Sequence, residues 1–371
     1  MKKFHLDIYK ETRQYLYLYD VLMKDEIINK DYFLADLGIN PGSYRRAKVT
    51  EQKIGREIVE ILARKFELSL VNTEEVDELE ELANNVFYEI NYKDYDNYEE
   101  YLLKIDFELK KNNLLFPIFL LLKLFLLLNT QNSLKDTIED NRPLFNELKK
   151  FKKFFNNELL EIYEYLTIVY SENIKKELAN KKYSNGLSYS IIATKLFHIK
   201  SYYESLYFAQ RAKLFFLSES NYKRVIYTNF TILNNLSFVL DFDEYYKLAH
   251  EQLHTLKSFG CSGFELNSTI KHLVVSSLAL NKYKEVIKIL ENKEEVTITE
   301  MFCLIIAKYN YDPQNFDHWF KEEMNDLIED EEYKELINDL LLYLKEPEKK
   351  NLLKLKDYEI MSSLINILKC L

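Results

Sequence analysis

The sequence predicts an all-α protein with a small N-terminal domain, residues 1–70, followed by a larger body of stacked helical hairpins, residues 71–371. The chain has six glycines and five prolines among 371 residues. Because sheet-rich folds need many turn residues, this scarcity favours long helices. Apolar residues form 47% of the chain, enough for a globular core, and they recur at helical spacing almost to the C-terminus.

The N-terminal domain is expected to contain four helices. The first covers residues 8–25, and the segment 31–48 (DYFLADLGINPGSYRRAK) forms two short helices joined by a tight turn. A fourth helix is expected over residues 51–66, with Thr50 as its N-cap. The apolar face of this fourth helix consists of Ile54, Ile58, Ile61, Leu62 and Phe66.

The segment 31–48 has the layout of a helix-turn-helix, the motif whose second helix enters the major groove of DNA. Gly38 suits the turn, Asn40 can cap the second helix, and Pro41 suits its first turn. The residues expected to pack the two helices together are Leu34, Leu37, Ile39 and Tyr44. The segment resembles the Cro/repressor-type family of helix-turn-helix proteins.

Basic charge is concentrated near this segment, although the whole chain has a net charge of −10. Residues 1–70 contain 13 Lys+Arg and 11 Asp+Glu, a net +2, so the remainder carries −12. Arginine can hydrogen-bond guanine edges and phosphates, whereas the acidic body would repel DNA. The candidate DNA-contacting residues are Asn40, Ser43, Tyr44, Arg45, Arg46 and Lys48. The alternative is an ordinary helical hairpin with surface arginines.

The body contains an internal repeat. Three hairpins are expected, Ile191–Ala212, Thr231–Leu253 and His272–Leu290, and their turn aromatics Tyr202, Phe242 and Tyr283 are 40 and 41 residues apart. Such a period predicts a solenoid of stacked helix pairs. The first hairpin resembles a tetratricopeptide repeat at its small and aromatic positions, Ala193, Tyr202, Ser205, Ala209 and Ala212. This resemblance implies a right-handed superhelix of tetratricopeptide-like hairpins.

In tetratricopeptide arrays the first helix of each pair lines an inner groove. On that resemblance, the candidate peptide-binding residues are Thr194, Phe197, His198, Tyr227, Phe230, Asn234, Phe238 and Lys271. An asparagine amide offers a donor and an acceptor that match an extended peptide backbone, and aromatic rings supply contact area. The alternative is that Asn234 only caps or solvates its helix.

A second motif is His250-Glu251-Gln252-Leu253-His254, a literal H-E-x-x-H. In zinc peptidases two histidines one turn apart bind the metal and the glutamate activates water. A third ligand would have to be Glu265 or Glu285. Because the motif falls on the second helix of a repeat hairpin, we expect two solvated histidines, no metal and no cofactor.

The apolar run Leu114–Leu128 needs a membrane test. It is fifteen residues long and contains Pro117 and Lys123, whereas a spanning helix needs about twenty apolar residues. We expect a buried helix and no membrane association. The three cysteines, Cys261, Cys303 and Cys370, lack metal or disulfide spacing and are typical of a reduced, cytoplasmic protein.

A helix-turn-helix domain joined to tetratricopeptide-like repeats resembles the RRNPP-type peptide-sensing transcription regulators, which include the PlcR, Rgg and arbitrium-receptor branches. The resemblance rests on FLADLGIN, on SYRRAK and on the three hairpins. It implies a cytoplasmic homodimer, not an enzyme, that binds double-stranded promoter DNA and is controlled by a short signalling peptide. The alternatives are a zinc metallopeptidase that uses HEQLH and a helical-repeat interaction scaffold that does not bind DNA.

Overall fold

The structure, a computed structural model, consists of helices and the turns between them throughout its described part, which confirms the predicted all-α class. The described residues are 13–49, 56–69, 73–92, 97–111, 114–130, 134–155, 157–180, 183, 185–261, 263–293, 295–323, 331–355 and 364–368.

The helices follow in this order: α1 (Arg13–Asp25), α2 (Lys30–Asp36), α3 (Pro41–Val49), α4 (Arg56–Lys65), α5 (Thr73–Tyr92), α6 (Tyr98–Lys110), α7 (Phe116–Thr130), α8 (Leu134–Lys150), the 3₁₀ helix η1 (Lys152–Phe154), α9 (Asn157–Val169), α10 (Ile174–Asn180), α11 (Gly186–His198), α12 (Tyr202–Ser218), α13 (Tyr222–Val239), α14 (Phe242–Ser258), α15 (Phe264–Ala279), α16 (Tyr283–Glu291), α17 (Ile298–Tyr311), α18 (Phe316–Glu323), α19 (Glu331–Lys345), α20 (Lys349–Leu355) and α21 (Ile365–Leu368).

The chain divides into two compact units. Unit 1 comprises Met1–Lys195 and Arg211–Val225, and unit 2 comprises Leu196–Gln210 and Ile226–Leu371. This division does not fall at residue 70, so the expected domain boundary there stays a prediction. Within unit 1, Lys150 of α8 forms an ion pair with Asp25 of α1 at 2.7 Å, which links the N-terminal helices to the later ones.

Helices α1 to α4 pack around buried tyrosines and aliphatic residues. The hydroxyl of Tyr19 donates to the carbonyl oxygen of Val59 at 3.0 Å and so joins α1 to α4. The buried face of α4 is rotated slightly from the predicted one. Its most buried residues are Val59, Leu62 and Ala63, whereas Ile58 and Ile61 are half-buried. Residues 8–12, Thr50 and Ile54 lie outside the described part of the chain.

The apolar run forms α7, and the prediction of a buried helix is confirmed. Eleven of its fifteen residues are buried, Pro117–Leu122 and Leu124–Leu128. Lys123, the charged residue inside the run, is half-buried and pairs with Asp106 of α6 at 2.7 Å. None of the described helices has the length and hydropathy needed to cross a membrane.

The turns of the predicted hairpins share one backbone feature. Lys200, Leu240 and Asn281 have positive φ angles of 61°, 63° and 58°, and each precedes its turn aromatic by two residues. A residue in the left-handed region after the last helical residue is a common way to end a helix and satisfy its last carbonyl groups. The three predicted hairpins are therefore α11–α12, α13–α14 and α15–α16.

Candidate functional site

The amino-terminal end of α3 has the geometry that the sequence predicts. The Oδ1 atom of Asn40 accepts hydrogen bonds from the backbone N–H groups of Gly42 at 2.8 Å and Ser43 at 3.1 Å. Gly38, in the turn before it, has a φ of 75°, which favours glycine. Both features confirm the prediction of a turn between α2 and α3 and of a side-chain cap at the start of α3.

Tyr44 packs α3 against α1. Its side chain is fully buried, and its hydroxyl donates to the carbonyl oxygen of Leu16 at 3.0 Å. Burial, together with the nearby carboxylate of Asp20, raises the pKa of Tyr44 above its ordinary value. Its predicted packing role is confirmed, whereas its inclusion among the DNA-contacting residues is wrong, because the ring faces the interior.

Asp20 of α1 holds two lysines beside this tyrosine. Its carboxylate accepts hydrogen bonds from the ammonium groups of Lys30 and Lys48, which lie 4.6 Å and 5.3 Å from the centre of the Tyr44 ring. The Lys48 side chain is only 17% exposed. The prediction that Lys48 contacts DNA is therefore wrong for this conformation, because its side chain turns back to an acid on α1.

The remaining candidates form an exposed polar face of α3. Asn40, Ser43, Arg45 and Arg46 are all exposed. Arg45 pairs with Asp31 of α2, and both side chains are more than half exposed, at 60% and 51%. One guanidinium nitrogen of Arg46 lies 3.5 Å from the Ser43 hydroxyl. An exposed ion pair contributes about 0–1 kcal/mol, so a phosphate or base edge can displace Asp31 from Arg45.

In unit 2, two of the predicted groove residues meet in an aromatic cluster. Phe238 stacks on Tyr202 with ring centres 4.5 Å apart, and Phe197 lies 5.5 Å from both rings. All three side chains are half-buried, and His198 lies beside Phe197 and is exposed. The cluster therefore offers a partly open aromatic surface.

A second group in unit 2 joins α13, α14 and α15. Phe230 stacks on His272 with ring centres 5.9 Å apart, and the Tyr245 hydroxyl lies 2.8 Å from Nδ1 of His272. Burial, helped by the charge of Lys271, lowers the pKa of His272 to about 4. Nδ1 of the neutral imidazole can therefore accept a hydrogen bond from the Tyr245 hydroxyl. Sequence reasoning missed His272 and Tyr245, since only their pairing across 27 residues distinguishes them.

The other predicted groove residues do not gather at one point. The Tyr227 hydroxyl donates to Glu265 at 2.8 Å, while Asn234 and Lys271 are exposed. Thr194 belongs to unit 1, and its hydroxyl donates to the carbonyl oxygen of Ser190. A fully buried amide on α13 is that of Asn235, which donates to the Ser205 hydroxyl at 2.8 Å.

The H-E-x-x-H motif lies on α14 with His250, Glu251 and His254 exposed to solvent. Neither proposed third ligand is free, since Glu265 accepts from Tyr227 and Glu285 accepts from Tyr246. In the part of the chain that the structure describes, no three histidine, cysteine or acidic side chains form a group able to hold a metal ion. The zinc-peptidase alternative thus has no third ligand among the described residues.

Unit 1 contains a polar group that sequence reasoning missed. Arg224 of α13 donates from Nε to Oδ1 of Asn91 at 3.0 Å and from Nη2 to Oδ1 of Asn129 at 3.1 Å. Among the described residues it has no carboxylate partner. A half-buried guanidinium bonded only to amides keeps its full charge and can still bind an anionic group. No local sequence pattern marks Arg224, because its partners are 95 and 133 residues away.

Comparison of the chain with protein-family models, with curated proteins and with solved structures found no match. The described part of the chain is an all-helical protein with many helical hairpins.

Proposed function

We propose that this chain is a DNA-binding transcription regulator that acts as a homodimer and is controlled by a short signalling peptide bound in its helical repeats. The observation that carries the proposal is the exposed polar face of α3. Tyr44 and Ala47 are buried beneath the helix, and Ser43, Arg45 and Arg46 lie on its exposed side. An arginine in this position can bind guanine O6 and N7 together.

A homodimer would present two such helices to two half-sites about one helical turn apart, roughly 34–36 Å. The N-terminal helices provide fixed support for this contact, since Tyr44 and Tyr19 tie α3 and α4 to α1. In this proposal, Asn40 and Ser43 contact the backbone and the two arginines read bases.

The aromatic cluster of unit 2 supports control by a peptide. Phe197, Tyr202 and Phe238 are half-buried and can pack against apolar side chains, while the exposed amide of Asn234 can bond a peptide backbone. The peptide would act by binding one of two body conformations more tightly, which changes the fraction of dimers able to bind DNA.

The first test measures the binding of purified protein to the DNA upstream of its own gene by fluorescence anisotropy. Each bidentate arginine–guanine contact contributes about 1–3 kcal/mol, so Arg45→Ala plus Arg46→Ala should weaken specific binding by at least about 30-fold. Arg64→Ala plus Lys65→Ala is the matched control, because it removes the same charge from exposed positions of α4. Equal losses in both variants, or no specific binding by the wild type, would contradict the proposal.

The peptide is tested by titration calorimetry with synthetic peptides encoded by small open reading frames beside the gene. Phe238→Ala should weaken binding by about 5- to 30-fold, since a contacting aromatic ring contributes on the order of 1–2 kcal/mol. Phe259→Ala is the control, because Phe259 is exposed on the same unit at the end of α14. Peptide binding that changes DNA affinity in the wild type alone would support the proposed coupling.

One observation favours a second candidate, a helical-repeat scaffold without DNA binding. Three basic residues of the N-terminal helices, Lys30, Arg45 and Lys48, are already paired with acids. Peptide binding without any specific DNA binding would support this candidate instead.

A further inference from the structure

A short lysine-rich segment of unit 1 faces solvent beside α1. Residues 149–153 read Lys-Lys-Phe-Lys-Lys and join the end of α8 to η1. Phe151 and the following Phe154 are buried, and Phe151 packs edge-on against Phe116 of α7 with ring centres 5.0 Å apart. Because these rings fix the backbone, the four lysines are held outward, and all four are exposed.

This segment and α1 enclose an open groove of about 340 Å³. Its α1 wall consists of Tyr17, Asp20, Val21 and Lys24, and its other wall is residues 149–154. We call it the lysine groove. The Lys153 ammonium lies 5.7 Å from the centre of the Tyr17 ring, which places one charge across the groove.

The charges of the lysine groove are only partly compensated. Lys150 is paired with Asp25 and Glu147, and Lys149 lies in the last turn of α8, where a cation stabilises the helix dipole. Lys24 forms no ion pair with any acid in the described residues, but it lies in the last turn of α1, so the same helix-dipole role applies to it. Lys152 and Lys153 are exposed and form no ion pair with an acid among the described residues either.

The lysine groove adjoins the proposed DNA-binding helix. Asp20, which lines the groove, also accepts a hydrogen bond from Lys48 at the end of α3. The groove and the C-terminal end of α3 therefore share Asp20, and phosphates supply the repeated negative charge of a DNA duplex. A short row of fixed lysines can release the counterions of such phosphates.

We propose that the lysine groove binds the phosphate backbone of the DNA that flanks the site contacted by α3. The inference rests on the proposed function and extends the DNA contact from residues 40–46 to a second segment more than 100 residues later in the chain. Lys24, Lys152 and Lys153 would contact phosphates, whereas Arg45 and Arg46 would contact bases.

The test is the salt dependence of DNA binding by the full-length protein. Each phosphate contact contributes about 0.9 to the slope of log K against log salt concentration. Lys152→Gln plus Lys153→Gln should reduce the slope by about 1.8, and it should weaken binding to the upstream DNA and to an unrelated duplex by the same factor. Lys152→Arg plus Lys153→Arg should keep the wild-type slope.

The matched control is Lys175→Gln plus Lys176→Gln, an adjacent pair of exposed lysines on α10 of the same unit. Circular dichroism checks that both double variants keep the wild-type melting temperature. A wild-type slope in the Lys152/Lys153 variant, or an equal reduction in the control, would overturn the inference. Loss of binding to anionic lipid vesicles with an unchanged DNA slope would also overturn it.

Failure of the proposed function gives a different result. If the wild type shows no preference for upstream DNA but the slope still depends on Lys152 and Lys153, the lysine groove stands as a phosphate-binding surface while sequence-specific regulation fails. If Arg45→Ala plus Arg46→Ala abolishes the preference and the slope ignores Lys152 and Lys153, the regulator stands and the groove fails.

Discussion

Asp20 joins α1 to Lys30 of α2 and Lys48 of α3, and Asp20→Asn should loosen the packing of these helices. Its carboxylate accepts from Lys30 and Lys48 and lies 3.3 Å from the Tyr44 hydroxyl. Asparagine has the same shape but carries no charge, and its amide group would place a donor against an ammonium. Both lysines would then be partly buried without a counter-charge.

The size of the effect follows from the exposure of these groups. The side chains are 26% exposed for Asp20, 29% for Lys30 and 17% for Lys48. A hydrogen bond to a charged group contributes about 1.5–3 kcal/mol when desolvated, and a fully exposed ion pair contributes about 0–1 kcal/mol. With two such bonds in an intermediate setting, we expect a loss of about 2 kcal/mol, which corresponds to about 30-fold faster amide exchange through opening.

Hydrogen exchange with mass spectrometry can measure this loss locally. Peptides that cover α1 and α3 should exchange faster in Asp20→Asn, while peptides that cover α14 and α15 should not change. Asp31→Asn is the matched control, because Asp31 forms a similar but exposed pair with Arg45 and should cost no more than about 0.5 kcal/mol. Equal protection in wild type and Asp20→Asn, or equal effects of the two variants, would refute the reasoning.

Two further predictions concern unit 2. Burial holds the pKa of His272 near 4, below its ordinary 6.5, so the unfolded chain binds more protons and stability should rise with pH between these values. Urea unfolding at several pH values should show this rise of about 3 kcal/mol in the wild type and lose it in His272→Gln. Leu240 is exposed with a φ of 63°. Leu240→Gly should raise the melting temperature, because it relieves roughly 1–2 kcal/mol of backbone strain and costs about 0.5–1 kcal/mol of backbone entropy, whereas Leu240→Ala should not.

The parts of the fold that sequence analysis predicted correctly depend on neighbours along the chain. Asn40 caps α3 and Gly38 takes a positive φ because both effects act within three residues. The burial of α7 could also be predicted, since a helix that is apolar on all sides has to be covered. In each case the sequence pattern contains the whole physical cause.

The errors arise where the deciding partner is distant. Lys48 and Tyr44 lie on α3, but Asp20 and Leu16, which fix their orientation, lie on α1, 28 residues earlier. The periodicity of α3 alone cannot show that an acid on another helix will turn a lysine inward. The same limit hid Arg224, whose two amide partners lie on α5 and α7.

The hairpin turns show a different limit. Lys200, Ser220, Leu240 and Asn281 all have positive φ, although none is glycine. Because these turns contain no glycine, their local sequence signal is weak, and the turns of the three hairpins were predicted from the aromatic period. Tertiary packing of the helices holds these residues in a region that costs roughly 1–2 kcal/mol for a side chain with a Cβ atom.

Asp20 and Asp31 determine which basic residues of the N-terminal helices could bind DNA at low energetic cost, and this separates the regulator from the scaffold. Asp20 binds Lys30 and Lys48 in a partly buried setting. A phosphate that bound these lysines would leave the Asp20 carboxylate partly buried and without a counter-charge. Asp31 holds Arg45 at the surface, and a DNA phosphate or guanine can replace it at little cost. A DNA-binding regulator would therefore use Arg45, Arg46 and a further source of positive charge. In the described part of unit 1, the lysine groove beside α1 offers such a charge. If the chain is a scaffold instead, nothing requires those lysines to stay uncompensated.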